Sequence, residues 1–182
     1  ELDASGVDAP EVVDTPDATT IDTLVDVANA LRPREDSPWQ ASDTLKNVVV
    51  TAVEPDGTRE LLIIGLPGNR DVDMKRDEAS LAPAEVEMAT PEDLKAFPEL
   101  VPGYIGPQVI GPQSARRDEE NPSVLRYLLD PHVARGSAWI TGANESNKHV
   151  FNLVYGRDFE ADGTIEAAEV LPGDDAPDGS GP

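Results

Sequence analysis

The sequence predicts an α+β fold: a mixed, partly barrel-like β-sheet flanked by short helices. Three observations carry that expectation. Two β-rich runs, "LKNVVVTAV" at 45–53 and "ELLIIGL" at 60–66, are joined by "EPDGTR", whose Asp56-Gly57 is a strong hairpin turn signal. One stretch, "IDTLVDVANAL", has helical apolar spacing. The remaining strands and short helices alternate without a repeated βαβ rhythm.

In chain order, Thr19-Thr20 ahead of Ile21, Leu24, Val25, Ala28 and Leu31 predicts an amphipathic helix with a threonine cap and acids outside. "RPREDSPWQAS" breaks it, and a second short helix near Asp43 and Thr44 leads into the hairpin. Beyond the hairpin, a helix is expected around 73–80 and a short strand at 86–89. "TPEDLKAF" sets Thr90 as cap and Pro91 at the first helical position, so 91–97 is read as helix. "PGYIGPQVIGP" at 102–112 packs three glycines and three prolines between apolar residues, which makes a stiff, folded loop. The polar run 114–125 is an exposed excursion, "VLRYLLD" a strand or short helix, and "SAWITGAN" and "KHVFNLVYG" two strands or a strand and a turn. The tail "GDDAPDGSGP" is a linker by composition.

Charge divides the 182 residues in the same way. The net charge of -22 splits as -8 over 1–31, -6 over 32–157 and -8 over 158–182, and all fourteen basic residues fall in the middle stretch. The ends therefore look like solvated arms around a domain at 19–160, with 1–18 and 161–182 as acidic and Gly/Asp/Pro-rich connections to something longer. Such acidity argues against autonomous nucleic-acid binding, because neutralising phosphates needs clustered Lys and Arg. With no cysteine and two histidines, disulfides, thiol catalysis and a metal site are not expected. No run approaches the ~20 apolar residues of a membrane span.

The catalytic inventory is thin: no nucleophile elbow, phosphate-binding loop or zinc motif is present. Lys46 heads an apolar strand, so its ammonium must either reach solvent at an edge or meet an anion. His149 on an alternating strand is a satisfied structural group or a site residue, and Asp130 before Pro131 has the setting of a turn aspartate.

The order "VVDTPDATTIDTL … TLKNVVV … EPDGTRELLIIGLPGNRDVD … EVEMATPEDL … PGYIGP … GANESNKHVFNLVYGRDF … PGDDAPDGSGP" resembles the insertion (editing) domain of bacterial-type prolyl-tRNA synthetases, in the aminoacyl-tRNA deacylase superfamily. The resemblance runs through nearly the whole chain. It implies a mixed-sheet α+β domain that hydrolyses alanine mischarged onto proline tRNA. By residue, it puts the catalytic positions at Lys46, Gly103, Gly106 and His149, and the substrate-binding positions at Tyr104, Ile105, Pro107 and Asp130. Lys46 would hold the terminal phosphate or ribose, and the loop 103–107 would wall the alanine pocket. His149 and Asp130 would shape that pocket or orient the substrate amine and the water. The implied partners are the aminoacylated 3′ end of tRNA(Pro) and the rest of a cytoplasmic, homodimeric synthetase. ATP and Mg belong to the parent's catalytic core, with no cofactor in this domain. Two departures stand out: Asn47 where a threonine usually follows the lysine, and a longer segment between Pro107 and Asp130. A free-standing trans-editing deacylase and a non-catalytic interaction domain are the competing readings.

Overall fold

The computed structural model of the chain describes residues 4–136 and 138–174. Its frame is the predicted hairpin: β2 (Leu45–Val53) and β3 (Arg59–Pro67) pair antiparallel from Leu45↔Pro67 to Val53↔Arg59. Glu54 and Thr58 close the turn, and Gly57 sits at φ +87°, where a side chain would be strained. Strand β4 (Glu85–Met88) flanks β2 antiparallel, and β5 (Arg126–Leu129) runs parallel to β3. With β8 (Gly163–Thr164) beside β5, a five-stranded sheet has the order β4-β2-β3-β5-β8. The central strands are buried on both faces, with Leu62, Ile63 and Ile64 fully enclosed, which is why the run "LLII" does not alternate.

A second, three-stranded sheet has the order β1-β7-β6, from Glu11–Asp14, Lys148–Leu153 and Trp139–Gly142. A bridge between Thr44 and Ile140 joins it to the head of β2. The expected mixed-sheet α+β class holds: among the described residues neither sheet closes into a barrel, and the two meet at a seam. Helix α1 (Ile21–Leu31) packs Leu24 and Ala28 with Trp39, Ile140 and Phe151 against the smaller sheet. Its cap is reciprocal: Thr20 Oγ1 accepts from the Thr23 amide and Thr23 Oγ1 from the Thr20 amide.

Helix α2 spans Met74–Leu81 and is capped by Asp73; α3 is one turn, Pro91–Leu94, capped by Thr90. The helix expected over 91–97 stops there, and looser turns carry the chain on to Leu100. The second short helix expected near Asp43 is a single 3-10 turn at Ala41–Asp43. "VLRYLLD" is strand, and Asp130-Pro131 opens a further short helix, α4 (Pro131–Arg135).

Two readings of the ends change. Residues 11–14, placed in the N-terminal connection, form β1 against β7. Residues 163–168, placed in the C-terminal linker, form β8 and then bury Ile165, Ala167 and Ala168 under α2 and the main sheet. The Ala167 carbonyl accepts from the Asp73 amide at the α2 cap, so nonlocal pairing holds a segment whose composition reads as linker. The last part of that tail, 175–182, lies outside the described residues. Among the described residues, no helix is long and apolar enough to cross a membrane.

Candidate functional site

Where the two sheets meet, a cavity of about 130 Å³ opens among Ile21 and Leu24 of α1, Leu45, Lys46 and Asn47 of β2, Gly103 and Ile105 of the loop, Thr141 and Gly142 of β6, and His149 of β7. At ~30 Å³ per water, this is space for roughly four waters, far below the several hundred Å³ of a typical drug-sized pocket. Its occupant must be small. A larger hollow of about 1040 Å³ between residues 6–11 and 32–43 holds none of the sequence-predicted positions.

The loop is held over the cavity by hydrogen bonds to side chains at the seam. Asn47 Nδ2 donates to the Ile105 carbonyl at 2.8 Å and to Thr141 Oγ1 at 3.1 Å, while its Oδ1 accepts from the buried Tyr127 hydroxyl at 2.7 Å. Thr141 Oγ1 in turn donates to the Leu45 carbonyl. Asn144 ties the other side: its Oδ1 accepts from the Gly106 amide and its amide donates to the Tyr104 carbonyl. The loop and β6 cross at their glycines. A Cβ on Gly106 would sit 2.0 Å from the Gly142 oxygen, and one on Gly142 would sit 2.2 Å from the Tyr104 carbonyl carbon. Only two hydrogens in place of side chains allow that crossing. The amides of Gly103 and Ile105 have no hydrogen-bond partner among the described residues, and both residues line the cavity.

The structure brings Lys46, Gly103, Ile105 and His149 to one wall. Gly106, Tyr104 and Pro107 lie just behind it: Gly106 spends its amide on Asn144, Tyr104 packs its ring on His149 with centroids 5.5 Å apart, and buried Pro107 starts a 3-10 turn. The half-buried Lys46 reaches the exposed Asp71 at 3.2 Å. His149 is 4% exposed, and burial pushes its pKa down to about 4, so the ring is neutral in neutral solution.

Asp130 stands apart from the cavity. One oxygen caps α4 through the His132 amide and meets His132 Nδ1, and the other accepts from the amides of Ala167 and Ala168. Burial would raise its pKa, but these donors outweigh burial and leave it lowered. This is the turn-aspartate setting that its place before Pro131 suggests, and Asp130 is not among the residues lining the cavity. Its backbone amide also donates to the Gly65 carbonyl, which anchors the end of β3.

Sequence reasoning missed Ile21, Leu24, Leu45, Asn47, Thr141 and Gly142 as wall residues. Ile21 and Leu24 read as the apolar face of α1, which they also are. The glycine of "TGAN" is the one signal that a second backbone approaches closely there.

Comparisons with known proteins point the same way. Proline--tRNA ligases from Cutibacterium acnes, Bifidobacterium longum and Kineococcus radiotolerans are 58%, 56% and 56% identical, over 99%, 100% and 97% of this chain. The chain spans only 30%, 31% and 29% of their lengths. Two solved structures share the fold at low identity. The crystal structure of hypothetical protein APE2540 has TM-score 0.58 and 13% identity over 88% of this chain and 92% of that one. A candidate trans-editing enzyme for prolyl tRNA synthetase has TM-score 0.53 and 16% identity over 80% and 76%. The profile of the aminoacyl-tRNA editing domain covers residues 15–159, from just after β1 to beyond β7. The chain belongs to the aminoacyl-tRNA editing domain family.

Proposed function

We propose that this chain is the editing module of a proline--tRNA ligase and hydrolyses alanine esterified to tRNA(Pro). The observation that carries the reading is the size and lining of the cavity: about 130 Å³, walled by aliphatic side chains and by two loop amides without a partner among the described residues, in a chain that aligns with 30% of the length of such a ligase. A synthetase pocket built for proline cannot strongly exclude the smaller alanine, because a missing methylene discriminates by only about 1–3 kcal/mol. A second, smaller cavity that accepts the alanyl group corrects the error by hydrolysis.

The chemistry asked of the protein is modest. An aminoacyl ester is already activated, so a positioned water and a stabilised oxyanion suffice. The alanyl group occupies the cavity against Ile21 and Leu24, and its carbonyl oxygen takes the amides of Gly103 and Ile105. Lys46 at the rim meets the terminal phosphate or ribose, the part of the substrate too large to enter. Water adds to the carbonyl carbon, the ester C–O bond breaks, and the ribose oxygen leaves with a proton. The vicinal ribose hydroxyl helps to deliver that water, which makes the absence of a nucleophilic triad tolerable. With a net charge of -22, the chain alone binds tRNA weakly, and the remainder of the ligase supplies the anchoring.

The test is deacylation of Ala-, Cys- and Pro-tRNA(Pro) by the chain and by the whole ligase. Alanine is expected to be released and proline retained. Lys46→Ala should lower the rate at least about tenfold. A folded protein that hydrolyses none of the three esters overturns the reading, and an unchanged Lys46→Ala rate overturns the lysine's role.

A further inference from the structure

We propose that Thr15 is a positioning residue that locks His149 in its Nε2-protonated tautomer, turning the ring into a hydrogen-bond donor toward the cavity. Thr15 directly follows β1 and is completely buried. Its Oγ1 lies 2.6 Å from His149 Nδ1, and its amide donates to the Asn147 carbonyl at 2.8 Å, so the backbone fixes where the hydroxyl stands. Two residues earlier the ladder pairs Val13 with His149, which holds the two strands in that register.

The direction of the short bond follows from satisfaction. A buried hydroxyl hydrogen needs an acceptor, and the Thr15 side chain has no partner among the described residues other than Nδ1. Were Nδ1 protonated, it would donate to Oγ1 and leave the threonine hydrogen stranded in a dry site. Thr15 therefore donates, Nδ1 accepts, and the neutral ring carries its one proton on Nε2. That nitrogen has no protein partner among the described residues, and His149 lines the cavity wall. The consequence for the proposed reaction, on which this part of the inference rests, is specific. His149 supplies a proton-bearing nitrogen to a substrate oxygen and does not act as the base that takes a proton from water. The chain's other histidine makes an internal contrast: His132 Nδ1 lies 2.6 Å from the Asp130 carboxylate, an acceptor only, so there the proton sits on Nδ1.

The experiment is a long-range proton–nitrogen correlation spectrum of histidine-labelled chain at neutral pH, with His132→Gln to assign the two rings. A pyrrole-type Nε2 and a pyridine-type Nδ1 at His149 are expected. Thr15→Val should disperse that pattern, and Thr15→Ser should restore it. A pyridine-type Nε2, or a Thr15→Val spectrum unchanged from the wild type, overturns the proposal. Deacylation gives the second readout: Thr15→Val lowers kcat about tenfold or more with little change in KM, as for a histidine held in the wrong tautomer. His149→Gln, whose amide nitrogen can replace Nε2–H, should retain more activity than His149→Ala. Should the wild-type spectrum be as expected while no ester is hydrolysed, the editing reading fails and the tautomer assignment stands.

Discussion

Asn47 offers the most direct test of how the loop is held. Replacing it with alanine removes two donated bonds, to the Ile105 carbonyl and Thr141 Oγ1, and one accepted bond from the Tyr127 hydroxyl. Each is worth about 1 kcal/mol net, but the larger cost lies with Tyr127. That side chain is fully buried, and among the described residues its hydroxyl has Asn47 as its one partner, so the truncation strands a donor at about 1–3 kcal/mol. Asn47→Ala should thus lose about 3 kcal/mol of stability in urea unfolding. Tyr127→Phe alone should lose about 1 kcal/mol, because only the half-buried Asn47 oxygen is left to find water. The double variant has no stranded hydroxyl, so it should be more stable than the sum of the singles by about 1–2 kcal/mol. The Ile105 carbonyl lacks its donor in both Asn47 variants, so stability recovers in the double while deacylation stays low. Additive unfolding free energies, or an Asn47→Ala within about 0.5 kcal/mol of the wild type, would refute the argument.

Other perturbations read other parts of the structure. Asp77 is fully buried, and neither carboxylate oxygen has a hydrogen-bond partner among the described residues; burial first, then the charges of Asp73 and Asp130, push its pKa up to about 7. A raised folded-state value means stability present at pH 4 that is lost as pH rises toward 7. Asp77→Asn should flatten that loss and gain up to about 4 kcal/mol at pH 8, at ~1.4 kcal/mol per unit, while a pH-independent wild type would contradict it. His149 works in the opposite sense: its depressed pKa of about 4 implies stability lost as pH falls below the unfolded value near 6.5, and His149→Gln should remove that part of the acid slope. Gly106→Ala and Gly142→Ala should each cost about 2 kcal/mol or more, since a methyl would meet backbone at 2.0 and 2.2 Å. Gly103 has φ +81° but open space, so Gly103→Ala should cost only about 1 kcal/mol, and the three melting temperatures should rank accordingly.

What could be read in advance divides along a physical line. The β2–β3 hairpin and helix α1 declare themselves because their signals are local: a turn dipeptide, a cap, and a period that one segment satisfies alone. Strands β1 and β8, four and two residues long, have too few positions to show a period and owe their conformation to partners more than 30 residues away. The same holds for 165–168, whose alanines look like linker until the α2 cap and Asp130 bind their backbone. Local logic also reaches the cap at Asp130, whose place before Pro131 suggests it, while a part in substrate binding is what the resemblance implies.

The site itself was legible only in part for a related reason. It lies at the seam where the head of β2 meets β6, and no single segment contains it. Gly106 and Gly142 are 36 residues apart, and each is crowded by backbone from the other segment: Gly106 by the Gly142 carbonyl, Gly142 by Tyr104. Asn47 has the right reach to join Tyr127, Thr141 and the loop, whereas the shorter threonine of the family pattern could not donate twice and accept once. The departure from the pattern at Asn47 is thus tied to the loop: this chain spends one amide side chain to hold a backbone that itself presents the free donors. In the proposed reaction such a cavity draws its chemistry from backbone amides and one oriented ring, which would explain why the sequence holds so few catalytic side chains.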